Sequence, residues 1–343
     1  MSEADAAAAI LWVGATFYAL FGGADFGGGF WDLIAGGAER GERPRALIQR
    51  SLTPVWEANH VWLIFVLVVL WTAFPPAFSA VFSTLYVPIA LAAFGIVLRG
   101  AGFAFRKQIV GLSGRRAAGA TFALSSLLTP FFMGTVVGAI ASGEVPADGN
   151  GEAFSSWLAP LPLLTGALFV ASGAYLAAVF LVGDARRARA EGWGAAGGEP
   201  DLERYFARRA LAAAVVAGAI ALAGLFALHD EARYVYDRLL DQGLPLVIAS
   251  GLCGLGVLAA LLRGWRAPLR PLSAGAVVAV IWGWGVAQFP YLLPTSLRID
   301  QAAAPGPTLT TVLIVFAVAA VVVLPSLALL YTLSQRDLLE HDE

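Results

Sequence analysis

The sequence predicts an all-α, polytopic membrane protein of about nine transmembrane helices. The first observation behind this is composition. Of 343 residues, 59% are hydrophobic and 13% charged, with a mean hydropathy of +0.74, whereas a soluble globular chain carries about 25% charged residues. The second is the division of the chain into apolar runs of about 20 residues, the length needed to cross a hydrocarbon core. The third is the placement of arginine and lysine, which fall on alternate connections between those runs.

The runs lie at residues 7–35, 47–73, 77–98, 117–142, 158–182, 209–228, 244–262, 272–292 and 309–333. The first opens with "MSEADAAAAI", which has no basic leading segment and stays apolar for about thirty residues, so it reads as a retained span and not a cleaved signal. Connections 1, 3, 5 and 7 carry 4, 5, 6 and 3 of the 22 Lys and Arg, beginning with Arg40, Arg43, Arg45 and Arg50 and then Arg99, Arg106, Lys107, Arg115 and Arg116. The N-terminus and the even connections carry only Arg233, Arg238 and Arg298, and the C-terminal tail carries Arg336. Basic loops stay in the cytoplasm, so the N-terminus is expected outside and the C-terminus inside. A single integral membrane domain over residues 1–343 is expected, with helices 1–4 over about 7–142, helices 5–9 over about 158–333 and the longest cytoplasmic loop over about 183–208. An echo of "LTPFF" at 128–132 in "FPYLL" at 289–293 is too short to establish a repeat.

Cys253 is the single cysteine, which excludes an internal disulfide framework and a cysteine-ligated cluster. No nucleic-acid partner is expected. Of the three histidines only His60 lies in an apolar run, since His229 falls in an outer loop and His341 in the tail. A protein holding several haems needs several axial His or Met at membrane depth, and His60 and Met133 alone qualify. The chain is therefore not expected to bind haem itself.

Polar groups inside an apolar run are where function is sought, because each is unfavourable in lipid unless it faces protein or water. "GGADFGGGFWDL" closes the first run. Counting 1.5 Å per residue from Ala7 places Asp25 about 27 Å along the helix, near the cytoplasmic face. "PVWEANHVWLIF" opens the second. Counting from Leu47 places Glu57 about 15 Å deep, near mid-membrane, with His60 at i+3 on the same face. Pro54 frees the carbonyl of Arg50 and opens the helix entry to water. Two readings of Asp25 stand side by side: a step in a proton route, or a lock between the first two helices through Asn59 or Trp62. The glycines around Asp25 permit close backbone packing. Buried acids with helix-breaking Pro130, Pro290 and Pro294 also fit a proton-coupled secondary transporter of a small solute.

"GGADFGGGF", "TPVWEANHVWLIFVLVVLWTAFP" and "LRGAGFAFR" resemble the first three helices of subunit II of the cytochrome bd-type quinol oxidases, the cyanide-insensitive type included. "QFPYLLPTSL" and "TLTTVLIVFAVAAVVVLPSLALLYT" resemble that family's last two helices. The resemblance implies two four-helix bundles plus one extra helix in a haem-free subunit of a bacterial cytoplasmic membrane. It implies a heterodimer with a haem-bearing subunit I that carries haems b and d, with small accessory subunits, membrane lipids and a structural quinone or lipid as further partners. The complex would oxidise quinol near the outer face and reduce oxygen to water. Carried onto this sequence, the resemblance gives a cytoplasmic proton-uptake path through Asp25, Glu57 and His60, supported by Trp56, Asn59 and Trp62. Three positions depart from the family pattern: Gly22 stands where many members have Asp, Glu57 replaces the usual Asp, and His60 stands where Glu or Gln is common.

Overall fold

The structure of the chain is a computed structural model that describes residues 2–52, 56–106, 112–193 and 201–335. Its first helix, α1 (Glu3–Phe17), starts at a reciprocal cap: the Asp5 N–H donates to the Ser2 hydroxyl (3.1 Å) and the Ser2 N–H donates to the Asp5 carboxylate (2.9 Å). The helix continues through a single π turn (Tyr18–Gly22) into α2 (Gly23–Leu33). A π turn inserts one extra residue and rotates everything after it to a new face.

Within the run expected over 47–73 the structure describes α3 (Ala38–Leu52) and α4 (Trp56–Ala73), and residues 53–55 between them lie outside the described residues. Arginines and glutamates along α3 favour the aqueous side, while Leu47 and Ile48 are 1% and 2% exposed against the core. Helix thus already runs from Ala38, ahead of the expected start at Leu47, and Glu57 lies near the start of the described α4. Pro54 lies outside the described residues, as do the side chains of Trp56 and Glu57.

Phe74 turns the chain between α4 and α5 (Pro75–Thr84), and the apolar parts of the two helices meet at 117°. Pro75 at the first position of α5 has no N–H to extend α4, and the residue before a proline is driven out of helical geometry. Trp71, Phe78 and Phe82 stack successively along the outside of this bend, with centroids 5.9 and 4.2 Å apart. Six long helices and one short one complete the main body: α6 (Tyr86–Arg106), α7 (Leu112–Ala141), α8 (Pro160–Ala190), α9 (Leu202–Glu231), α10 (Arg233–Leu240), α11 (Leu244–Arg263) and α12 (Leu269–Gln288). The helices α8 and α9 reach far beyond the runs 158–182 and 209–228, because polar helix continues past the apolar stretch at their basic ends and hydropathy marks only the lipid-facing part.

The run expected over 272–292 ends early at Gln288. The next residues form a short antiparallel hairpin of β1 (Tyr291–Leu293) and β2 (Leu297–Arg298), turning through Thr295 at φ 61°. Pro290 and Pro294 cannot donate a helical N–H, which stops α12 from continuing. A short α13 (Ile299–Ala302) follows, and the Ala304 N–H donates to the Ala73 carbonyl at 2.8 Å, fastening this loop to the end of α4. The last helix, α14 (Gly306–Gln335), packs on α1 and α4.

Seven described helices are long and apolar enough to cross a membrane, eight if the bent α4–α5 pair is counted as one span; in α6 the apolar part is the shorter Tyr86–Gly102. The protein is thus all-helical apart from the hairpin, and polytopic. Many large apolar side chains point outward, among them Phe226 and Val321, each 75% exposed, as suits a surface solvated by lipid. At the centre α8 packs against α2, α7, α9 and α12. A Cβ on Gly27 would overlap the carbonyl oxygen of Gly173 on α8, so only glycine permits this helix crossing. Gly27→Val is expected to force α2 and α8 apart and lower stability by about 1–3 kcal/mol or more. A thermal-unfolding midpoint in detergent equal to that of the unaltered protein would refute the close crossing.

Candidate functional site

Asp25 and Asp32 share a face of α2 at seven-residue spacing, and Tyr18 precedes them across the π turn of the same membrane helix. Asp25 is 1% exposed and Asp32 is 6% exposed. The glycines between them keep this side of α2 narrow enough for α7 and α8 to pack against it.

Asp25 faces an arginine that sequence reasoning assigned to the third loop. Arg99 is not a loop cation: it sits inside α6, 1% exposed, with its Nη2 2.8 Å from Asp25 Oδ1. The same Nη2 donates to the Asp25 backbone carbonyl at 3.1 Å, and Nη1 donates to the Ser126 hydroxyl on α7. Ser126 in turn donates to the Phe122 carbonyl at 2.8 Å. The guanidinium lies 4.9 Å from the Phe26 ring centre and 4.4 Å from that of Phe122, so its flat faces are covered by aromatic quadrupoles. One cation thus joins α2, α6 and α7. Arg99 Nη1 and Nη2 donate to Ser126 and to the Asp25 backbone, and among the described residues no donor is aligned on either Asp25 carboxylate oxygen. The pair is therefore a close charge contact with carboxylate lone pairs left over for another donor.

Toward the basic end, Arg45 on α3 lies 3.5 Å from Asp32 and donates to the Gly37 carbonyl at 3.2 Å. Asp32 thus stands between the surface arginines and Asp25. Toward the opposite end, the Tyr18 hydroxyl donates to the Met133 sulfur on α7 at 3.7 Å. The His60 ring meets Tyr18 and Phe26 edge-on, with centroids 6.3 and 5.8 Å away. His60 thus lies in the same neighbourhood as the first helix. Asn59 is buried at 3% exposure, and Trp62 stacks on Phe17 at 4.4 Å between centroids. The expected lock of Asp25 through Asn59 or Trp62 gives way to Arg99 as the charged partner. Glu57 stands one helical turn before His60 on α4.

Sequence reasoning missed Arg99, Asp32 and Tyr18. The seven-residue spacing of the latter two was available; the role of Arg99 was hidden because it closes an apolar run, where a basic residue reads as a loop flank. A partly exposed ion cluster links α8 to α12: Asp184 on α8 is 2.6 Å from both Arg187 and Arg270, the latter on α12. Among the described residues no group of three His, Cys, Asp or Glu is gathered for a metal ion.

A multi-helix membrane protein with an ion-paired carboxylate in its packed interior is the class these features define. Residues 4–334 match the family of cytochrome bd terminal oxidase subunit II, and the chain belongs to that family. It is 25% identical over 326 residues to the cytochrome bd-I ubiquinol oxidase subunit 2 of Escherichia coli K12, covering 83% of this chain and 80% of that one. To the cytochrome bd ubiquinol oxidase subunit 2 of Bacillus subtilis it is 29% identical over 143 residues, a match that spans 40% of that protein. The solved bd oxidase of Geobacillus thermodenitrificans contains a chain of the same fold, with a TM-score of 0.75 at 24% identity over 97% of this chain and 98% of that one.

Proposed function

We propose that this chain is the haem-free subunit II of a quinol:oxygen oxidoreductase in an aerobic respiratory chain. It spans a bacterial cytoplasmic membrane nine times, as two four-helix bundles and one extra helix within a single integral membrane domain. Its partner is a haem-bearing subunit I holding haems b and d, with small accessory subunits and a structural quinone or lipid completing the complex. The match of nearly the whole chain to the subunit II family carries this reading. The transporter alternative has no comparable support.

The chain's own part in the reaction is to bring protons from the cytoplasm toward the site where oxygen becomes water. Asp25, Glu57 and His60 are the proposed members of that route, and Trp56, Asn59 and Trp62 pack around it. Burial of Asp25 beside a fixed cation supports a role for the first helix, since intramembrane charge is retained mainly where it works or locks helices together.

The test is spectroscopic. The purified heterodimer should show haem absorption, and the isolated chain none. Stoichiometric haem kept by the isolated chain and lost in His60→Ala would overturn the haem-free assignment. Orientation has its own test: reporters fused at Gly192 should read cytoplasm, and those at Gly149 and Pro305 the outside. An outside signal at Gly192 would contradict nine spans with the N-terminus outside.

A further inference from the structure

We propose that Tyr18 is a proton-relaying residue, the inward continuation of the file that begins at Asp32 and Asp25. The inference rests on the subunit reading above and extends it to a residue that neither motif nor resemblance singled out.

Three independent features converge on this tyrosine. It opens the π turn of the first membrane helix (Tyr18–Gly22), and such turns recur at functional sites because they re-aim side chains. The turn breaks the α-helical phase between Tyr18 and α2, so the direction of the phenol is set locally and not by the pattern of either flanking helix. The second feature is the room made for the ring. A Cβ on Gly22 would lie 2.8 Å from the Tyr18 ring, so the phenol occupies the space that any side chain at position 22 would need. The third is the hydroxyl's partner. Its acceptor is the thioether of Met133 at 3.7 Å, a weak acceptor that a water or another oxygen readily displaces. A buried phenol meant only to brace the helix would be expected to use a carbonyl.

The charges on either side fit a relay. Both carboxylate oxygens of Asp25 lack an aligned donor although the residue is 1% exposed, and buried polar atoms of this kind are ordinarily completed by ordered water. Asp25 and Tyr18 are seven residues apart, about 10 Å along the helix. The His60 ring lies beside Tyr18 and Phe26, 6.3 and 5.8 Å between centroids. With water carrying the excess proton from Asp25, the hydroxyl takes a proton from that water as it releases its own toward His60. It ends the step as the neutral phenol it began as, and the positive charge passes on to the His60 side.

The experiment uses the purified heterodimer, reduced and mixed with oxygen in one turnover, with a pH indicator reporting proton uptake and haem absorption reporting electron transfer. Tyr18→Phe keeps the ring and removes the hydroxyl; proton uptake should slow about tenfold or more, with an unchanged haem spectrum and an altered solvent deuterium isotope effect. Met133→Leu, which removes only the sulfur, should leave uptake unchanged. Normal uptake in Tyr18→Phe alongside slowed uptake in Glu57→Gln overturns the relay and keeps the subunit's proton route. Normal uptake in Tyr18→Phe, Asp25→Asn and Glu57→Gln together overturns both. Should Tyr18→Phe fail to assemble, Gly22→Ala, which crowds the ring, supplies the same readout: slowed uptake supports the relay, and normal uptake overturns it.

Discussion

Arg99→Met is expected to prevent accumulation of the assembled protein, and it is the most damaging single substitution the structure points to. The guanidinium is 1% exposed and joins three helices through Asp25, the Asp25 carbonyl and Ser126. Methionine fills a similar volume but leaves the Asp25 carboxylate uncompensated in the packed interior. Removing one partner of a buried ion pair destabilises by about 3–5 kcal/mol, because the remaining charge has lost both its water and its counter-charge. The double variant Asp25→Asn/Arg99→Met removes the stranded charge, and much of the stability should return. Protein yield in the membrane and the thermal midpoint of the purified complex measure this. A single variant as stable as the unaltered complex would show that the pair contributes nothing, and a double variant no better than the single would show that Arg99 acts through its ring contacts alone.

Glu57→Gln is expected to leave the complex assembled, with its haem spectrum and quinol binding intact, while slowing oxygen reduction about tenfold or more. Glutamine preserves size and hydrogen bonding but cannot give up a proton, so a route that depends on release at this position stops. Tenfold corresponds to a barrier of about 1.4 kcal/mol. Glu57→Asp should be mild, because a carboxylate remains. Asp25→Asn strands the buried Arg99 guanidinium and should lower the yield of assembled complex, while turnover per assembled complex should fall less than in Glu57→Gln because water passes around the first acid. Steady-state oxygen consumption on purified complexes decides the order. Normal turnover in Glu57→Gln, with failure of Glu57→Ala to assemble, would make this residue a structural hydrogen-bonding group and move the proton route into the partner subunit.

The helical, membrane-spanning class, the approximate span positions and the family were legible in the chain itself. The apolar runs and the charged connections are local sums over neighbouring residues, and the hydrocarbon core acts on such sums directly. The motifs around Asp25 and His60 were legible for the same reason. What the sequence could not hold is which groups meet. Asp25 and Arg99 are 74 positions apart, and their contact exists because α6 and α7 close against the glycine face of α2. The end of α12 at Gln288 and the seating of Tyr18 beside Met133 and His60 are likewise products of packing. A basic residue at the end of an apolar run reads as a loop flank until a counter-charge on another helix makes burial tolerable, and only the tertiary structure supplies that counter-charge.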